Sequence, residues 1–207
     1  MIQGNSQPAY NRVGAVVMAA GLSKRMGKPK MVLPWGKQTV IEKVVSTLLS
    51  AEVSEIVVVT GAIHDEIKSA LSRQPAQIVF NPNYADNIML NSLRVGLTAL
   101  NPNLDAALIA LGDNPQIEQR IVEEIIIEYK NLQARIIVPS YALRRGHPWL
   151  VEKSLWQTLI DWDNQLTLRD FLNQHSQEIH YLNVDTPSIV MDLDTPDEYE
   201  SQRPDIK

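Results

Sequence analysis

The chain has 207 residues, enough for one sizeable α/β core and short for two domains, so we predict a single domain over residues 13–207. A net charge of −5 argues against general nucleic-acid binding, and the absence of cysteine excludes disulfides, thiolate metal sites and a cysteine nucleophile. Residues 1–12 are polar and predict a flexible tail rather than a signal peptide, and no later run is apolar enough to cross a membrane. We therefore expect a cytoplasmic protein.

Apolar runs and amphipathic stretches alternate along the chain. The predicted strands are Val13–Met18, Glu55–Thr60, Gln77–Phe80, Ala106–Leu111 and Ala134–Pro139, and the predicted helices are Thr39–Ser50, His64–Leu71, Leu93–Leu100 and Glu118–Lys130. This alternation predicts an α/β fold with three α/β/α layers and a mostly parallel, Rossmann-like sheet. The pattern weakens after Gly146, which predicts a late antiparallel, substrate-facing excursion that returns to the sheet at Glu178–Val184.

The most informative segment follows the first strand. Ala19, Ala20 and Gly21 are small enough to let backbone N–H groups approach a ligand closely. The next residues include four cations, namely Lys24, Arg25, Lys28 and Lys30. Small residues followed by cations are typical of a polyphosphate cradle, although a solvated basic turn would show the same charges. Neither G-x-x-x-x-G-K-[ST] nor G-x-G-x-x-G is present, which excludes a P-loop and a dinucleotide fingerprint.

Residues 18–30 read M-A-A-G-L-S-K-R-M-G-K-P-K. This segment resembles the signature loop of the MobA-like nucleotidyltransferases, and especially the molybdenum cofactor cytidylyltransferase branch, whose pattern is L-A-A-G-x-S-x-R-M-G-x-x-K. Only the leading leucine differs. The resemblance extends over roughly residues 13–199. It implies nucleotide-binding roles for Ala19, Ala20, Gly21, Leu22, Ser23, Arg25 and Lys30, and for Asn91 and Ser92 further along the chain.

An acidic residue follows the predicted strand Ala106–Leu111. Ligands of parallel sheets bind at the carboxyl ends of the strands, where the Asp113 carboxylate could hold a hard cation opposite the basic loop. Asp113 could instead cap a helix that begins near Gln116. The family has a G-D-x-P element here and assigns its aspartate to Mg²⁺, so the resemblance implies a metal-binding and catalytic role for Asp113.

Two further carboxylates lie near the end of the chain. Asp192 and Asp194 alternate around Leu193, so on an extended segment both would share one face. Two such carboxylates repel each other unless a cation or a donor lies between them. Thr195 is also a good N-cap for a following helix, and both interpretations can hold together. The segment is similar to a D-x-D-T-P element of the family, which implies metal-binding roles for Asp192 and Asp194.

The segment Arg144-Arg145-Gly146-His147-Pro148 could bind the phosphate of a second substrate. A histidine beside a proline is also common in ordinary loops. The family has the same R-G-H-P element beside its acceptor pocket, so the resemblance implies substrate-binding roles for Arg145, Gly146 and His147. It implies a substrate contact for His147 rather than a general base. Further along, Arg169 alone remains of the family's G-A-R element, which leaves the acceptor open.

The family has small residues where this chain has Ile88 and Leu90, close to the expected base pocket. Bulky aliphatic side chains there would narrow the pocket and favour cytosine over guanine.

The resemblance implies transfer of CMP from CTP to the phosphate of molybdenum-loaded molybdopterin, with Mg²⁺ as cofactor and with Lys30, Arg25 and Asp113 as catalytic residues. A guanylyltransferase or a sugar-phosphate nucleotidyltransferase remains open, as does a non-catalytic molybdopterin carrier. We expect no nucleic-acid or membrane partner, and a transient contact with the molybdoenzyme that receives the product.

Overall fold

The computed structural model describes residues 12–86, 88–132 and 134–204. Of the predicted tail over residues 1–12, only Arg12 is described. Asn87 and the side chain of Lys24, one of the loop cations, also lie outside the description.

Ten strands and seven α-helices lie in this part of the chain. The strands are β1 Val13–Ala19, β2 Pro34–Trp35, β3 Gln38–Thr39, β4 Glu55–Thr60, β5 Gln77–Phe80, β6 Ala106–Leu111, β7 Ile136–Tyr141, β8 Arg144–Arg145, β9 Trp149–Glu152 and β10 Ile179–Asn183. The helices are α1 Val40–Ser50, α2 His64–Ala70, α3 Met89–Ala99, α4 Gln119–Leu132, α5 Trp156–Ile160, α6 Leu168–Gln174 and α7 Pro196–Gln202.

The main sheet has eight strands, with the order β10-β7-β9-β6-β1-β4-β5 and with β8 paired to β7. The pairs β1–β4, β1–β6, β4–β5 and β7–β10 are parallel. Strand β9 is antiparallel to both β6 and β7. The mostly parallel sheet with a late antiparallel element is therefore confirmed.

Strand β1 shows how the three layers are built. It is buried along its whole length, as expected for a strand covered on both faces. Val17 and its alternate neighbours pack on one side with helices α1, α2 and α4, whereas Val16 and Met18 pack on the other with α3, α5 and α6. The two-residue period of a strand thus places one strand in two cores. The carboxyl ends of β1 and β6 meet at one edge of the sheet.

Several sequence predictions differ from the structure in their limits. Strand β7 covers Ile136–Tyr141 rather than Ala134–Pro139, and helix α4 covers Gln119–Leu132 rather than Glu118–Lys130. Helix α3 begins at Met89, four residues before the predicted start at Leu93, because no capping side chain marks its first turn. The region after Gly146 does not remain outside the sheet until Glu178, because β9 enters the centre of the sheet at Trp149. The return at Ile179–Asn183 is confirmed.

None of the helices within residues 12–86, 88–132 and 134–204 is both long enough and apolar enough to cross a membrane.

Candidate active site

A cavity of about 330 Å³ opens at the carboxyl ends of β1 and β6, and we call it the carboxylate cavity. Its wall includes Ala20 and Gly21 from the loop after β1, together with Arg25. That loop adopts the left-handed conformation at Ser23, with φ of 48°, and ends at Gly27, with φ of 64°. The bend between them presents Arg25 to the cavity.

The other predicted loop residues lie around this wall. Ala19 is fully buried at the end of β1, beneath the loop. Leu22 and Ser23 line a neighbouring cavity of about 280 Å³, which shares Gly21 with the carboxylate cavity. The Ser23 hydroxyl accepts a 3.4 Å hydrogen bond from the backbone N–H of Lys30. The loop therefore has one face on each cavity.

Asp113 enters the carboxylate cavity from the end of β6. Gly112 directly before it donates a backbone hydrogen bond of 3.0 Å to the carbonyl of Met18 in β1. A Cβ atom at Gly112 would lie 3.0 Å from Ile41 and 3.1 Å from the Cβ of Ala19, so only glycine fits without displacing these neighbours. The close approach holds Asp113 beside the loop. Helix α4 begins at Gln119, close to the predicted start at Glu118, so the alternative in which Asp113 caps a helix that begins near Gln116 does not hold.

Asp192 and Asp194 reach the same cavity from the C-terminal segment. Leu193 between them is fully buried in a small core cluster with Met26 and Trp35, so the loop and this segment pack against each other. The Glu198 carboxylate accepts 2.8 Å hydrogen bonds from the backbone N–H groups of Asp194 and Thr195, and Thr195 caps α7. The apolar anchor and the cap together fix the two carboxylates.

Lys30 lies at the centre of these charges, 7% exposed. Its ammonium group pairs with Asp113 and lies 3.0 Å from Oδ1 of Asp194, and Arg25 contacts the other oxygen of Asp194 at 2.5 Å. Burial lowers the pKa of Lys30, but the charges of Asp113 and Asp194 and their hydrogen bonds offset this and raise it above its usual value. Lys30 therefore stays protonated.

The two C-terminal carboxylates differ in their environments. Burial raises the pKa of Asp192, and the negative charges of Asp194 and Asp113 raise it further. Burial also acts on Asp194, but Lys30 and Arg25 hold its pKa below the usual value. Asp192 is thus the carboxylate whose charge is least compensated, and it would gain most from a bound cation.

The carboxylate oxygens of Asp113 and Asp192 are ligands suited to a hard divalent cation. Within residues 12–86, 88–132 and 134–204, no group of three or more His, Asp and Glu side chains lies close enough to hold a metal ion. Lys30 and Arg25 take up the oxygens of Asp194 instead. The donor chemistry of Asp113 and Asp192 fits a divalent cation that shares this cavity with Lys30.

The remaining residues predicted to lie at the nucleotide site belong to helix α3 and to the segment just before it. Ser92 lines the carboxylate cavity and accepts a 3.1 Å hydrogen bond from Asn81. Asn91 is not among the lining residues, and its side chain accepts from Arg94 instead. Leu90, expected near the base pocket, is 2% exposed and packs into the core, because it lies on the inward face of α3. The sequence predictions missed Tyr84 and Met89, which line the cavity with Ile88.

A larger cavity of about 960 Å³ adjoins the first, and Ile88 and Met89 border both. The predicted substrate residues Arg145, Gly146 and His147 all line it, as does Arg169. The sequence predictions missed its other walls, which the hairpin residue Leu143 and the segment from Asn164 to Leu166 provide. No local sequence motif identifies these residues, because they are distant in the sequence and come together only in the folded chain.

His147 is held from several sides. A Cβ atom at Gly146 would lie 2.5 Å from the carbonyl of Ile189, so the chain passes there without a side chain, and His147 donates its backbone N–H to the same carbonyl at 2.9 Å. Its Nδ1 lies 3.2 Å from the carbonyl of Ile109. Burial lowers the pKa of His147, against the opposing effects of the Ile109 hydrogen bond and of Asp113. A neutral imidazole that donates Nδ1–H to Ile109 keeps Nε2 free as an acceptor.

Arg145 is oriented by neutral partners. It donates to the hydroxyl of Tyr181 at 2.9 and 2.6 Å and to the Asn173 side chain at 2.7 Å, and its guanidinium lies 5.6 Å from the Tyr181 ring centre. None of these partners is a carboxylate, so its positive charge remains available to an anionic ligand at the larger cavity.

Known proteins resemble this chain in sequence and in fold. The family described as MobA-like NTP transferase domain matches residues 15–179. The chain is 29% identical to the molybdenum cofactor cytidylyltransferase of Escherichia coli K12 over 189 residues, covering 90% of this chain and 93% of the relative. It is 27% identical to nicotine blue oxidoreductase of Paenarthrobacter nicotinovorans, covering 88% and 92%.

Among solved structures, Rv0371c of Mycobacterium tuberculosis H37Rv superposes with a TM-score of 0.81 at 25% identity, covering 93% of this chain and 98% of that one. A manganese complex of Rv0371c has a TM-score of 0.75 at 23% identity, covering 92% and 97%. The matched family spans the basic loop, Asp113 and the R-G-H-P segment. The chain belongs to the MobA-like NTP transferase family, and is a nucleotidyltransferase of that family.

Proposed function

We propose that this protein transfers CMP from CTP to the phosphate of molybdenum-loaded molybdopterin and releases pyrophosphate. The observation that carries the proposal is Lys30, a protonated and buried lysine held between Asp113 and Asp194 beside the basic loop. The similarity to a molybdenum cofactor cytidylyltransferase over nine-tenths of the chain supports the choice of substrates.

The reaction needs no general base, because a phosphate monoester is already ionised near neutral pH. An oxygen of the acceptor phosphate attacks the α-phosphorus of CTP in line, the bond between the α-phosphorus and its bridging oxygen breaks, and pyrophosphate leaves with that oxygen. Catalysis is then a matter of positioning and charge stabilisation.

The residues of the carboxylate cavity divide this work. Backbone N–H groups around Ala20–Leu22 and the Arg25 guanidinium bind the β- and γ-phosphates. Lys30 donates to the α-phosphate, where charge changes during the reaction, and Asp113 and Asp194 keep it protonated and aimed. Asp113 and Asp192 would hold Mg²⁺, which supplies neutralisation of phosphate charge when bound.

The larger cavity receives the acceptor. Its volume of about 960 Å³ suits a small molecule, and Arg145 and Arg169 on its wall suit the acceptor's anionic groups. Ile88 and Met89 border both cavities, so the two substrates would meet there. His147 would accept a hydrogen bond from the acceptor through Nε2 rather than remove a proton.

The test is pyrophosphate release measured with CTP, GTP, UTP and ATP, each with Mg²⁺ and each with and without molybdenum-loaded molybdopterin. The proposal predicts that release requires this acceptor and is faster with CTP than with any of the other three nucleotides. Release with GTP alone among the nucleotides would make the protein a guanylyltransferase. Release with a sugar phosphate in place of molybdopterin would reject the acceptor. Binding of molybdopterin without release from any nucleotide would make the protein a carrier.

A further inference from the structure

The hairpin that joins β7 to β8 turns on two residues with an unusual backbone. Tyr141 pairs with Arg144, so only Ala142 and Leu143 form the turn. Their φ angles are 47° and 62°, which is the left-handed region for both residues. A two-residue turn of this kind favours asparagine followed by glycine, because other L-residues are strained there.

Leu143 is unfavourable in a second way, because its apolar side chain is exposed to water. The residue is 99% exposed, more than any other large apolar residue in the described part of the chain. Neither the strained backbone of Leu143 nor its exposed side chain therefore stabilises the folded state. Backbone strain of this kind is concentrated at ligand sites and persists where the surrounding structure imposes it.

The base of the hairpin is fixed, so its tip has a defined position. Gly146 donates its backbone N–H to the carbonyl of Pro139 at 2.9 Å, and Arg145 is held by the Tyr181 hydroxyl. Leu143 is thereby placed on the lining of the larger cavity. The exposed leucine therefore lies where a bound molecule would cover it.

The same cavity offers apolar and cationic groups together. Met89 on its wall is 49% exposed, and Leu166 and Leu168 also line it, while Arg145 and Arg169 supply positive charge. A ligand that satisfies this lining has an apolar or flat ring face and an anionic group. The side chain of Leu143 would lose its contact with water only when such a ligand is bound.

We propose that Leu143 is a specificity-determining residue that packs on the ring system of the phosphate-bearing acceptor. This inference rests on the proposed function, since it assigns the larger cavity to that acceptor. The strained turn holds the leucine in place before the acceptor arrives, so its contact contributes to acceptor binding and not to nucleotide binding.

The test compares three variants in the pyrophosphate-release assay with CTP and molybdenum-loaded molybdopterin. Leu143→Gly removes the side chain and suits the turn, so the KM for molybdopterin should rise about tenfold, as for one lost buried leucine contact, while the KM for CTP stays unchanged. Leu143→Met keeps an apolar side chain and should restore most of the acceptor affinity. Ala142→Asn relieves strain one residue earlier and should leave both KM values unchanged.

Thermal unfolding provides the readout that separates binding from folding. Leu143→Gly and Ala142→Asn should both unfold at or above the wild-type temperature, because each suits a left-handed turn. An unchanged KM for molybdopterin in Leu143→Gly would overturn the inference while the proposed function stands, and a change of oligomeric state with that unchanged KM would do the same. A wild-type protein that turns over CTP only with another acceptor would overturn the proposed function and this assignment with it.

Discussion

The ammonium nitrogen of Lys30 lies 3.0 Å from Oδ1 of Asp194, although the two residues are 164 positions apart. Lys30 also pairs with Asp113, so one side chain joins the loop after β1, the end of β6 and the C-terminal segment. A buried lysine with two carboxylate partners is charged and held in one orientation before any phosphate arrives. The same contact means that a bound cation and Lys30 would share the Asp113 carboxylate.

Replacing Lys30 tests its role at the α-phosphate. Lys30→Ala should lower turnover by about 10²–10³-fold, the usual scale for the loss of one preorganised donor. The affinity for CTP should fall less, because Arg25 and the loop amides still bind the other phosphates. Steady-state pyrophosphate release and calorimetric CTP binding measure the two effects.

The matched control is Lys37→Ala, which removes an exposed lysine from the turn between β2 and β3 and should leave turnover unchanged. Removing Lys30 leaves Asp113 and Asp194 with one cation fewer, so circular dichroism is needed to establish that the Lys30→Ala protein is folded. Wild-type turnover in a folded Lys30→Ala protein would reject the catalytic role.

Asp113→Asn tests metal binding with little change of shape. It removes the anionic oxygen, so activity should collapse and recover only in part with excess Mg²⁺ or Mn²⁺. Asp65→Asn removes an exposed carboxylate from the first turn of α2 and should have no effect on activity. Retention of full activity by Asp113→Asn at ordinary Mg²⁺ would exclude Asp113 as a ligand. Activity at a series of Mg²⁺ concentrations provides the measurement.

Much of the fold was predictable because its strands are local, buried and bounded by turns. Glu55–Thr60, Gln77–Phe80 and Ala106–Leu111 were predicted with the limits that the structure shows. Strand β9 was not predicted, since only its partners β6 and β7 make it a central strand. Its sequence alone does not distinguish a buried strand from a buried loop.

The site shows the same division between local and long-range information. The motifs indicated which residues approach the cavity, and Asp113, Asp192 and Asp194 line it together. The motifs could not indicate that Lys30 bonds to two of these carboxylates, because that depends on the depth of each side chain. Nor could the motifs show that Leu90 is in the core. The residue at which α3 begins decides whether Leu90 lies on the buried or on the exposed side of the helix.

The lowered pKa of His147 leads us to predict that the stability of the protein depends on pH. Its pKa in the folded protein is lowered by burial, whereas the unfolded chain has the ordinary value of about 6.5. Below that value the unfolded state binds more protons than the folded state, so this contribution to stability is complete above about pH 6.5 and declines as the pH falls. Urea unfolding between about pH 5 and 8 should show the decline. His147→Asn keeps a donor for the Ile109 carbonyl and should reduce the slope; an unchanged slope would contradict the assignment.

Ile88 and Met89, which line both cavities, lead us to predict that the protein selects one nucleotide base over another. Ile88 lines the carboxylate cavity where a small residue was expected, and Met89 beside it narrows the cavity further. Leu90, the other bulky residue at the expected base pocket, does not line this cavity and is buried in the core. The narrowed space should admit cytosine and exclude guanine, so CTP should bind more tightly than GTP by about tenfold or more. UTP should be rejected less, since the aliphatic side chains offer no hydrogen bond that distinguishes it from CTP, a distinction typically of about 1–3 kcal/mol.

Ile88→Ala should enlarge the cavity, raise the affinity for GTP and leave that for CTP almost unchanged. The matched control Ile127→Ala shortens an exposed isoleucine on α4 and should alter neither affinity. Competitive binding of CTP, GTP and UTP with Mg²⁺ present measures the three affinities in each variant. The steric argument requires that wild-type protein discriminate against GTP and that Ile88→Ala lose part of this discrimination. Equal binding of GTP and CTP to the wild-type protein would reject both the steric argument and the cytidylyltransferase assignment.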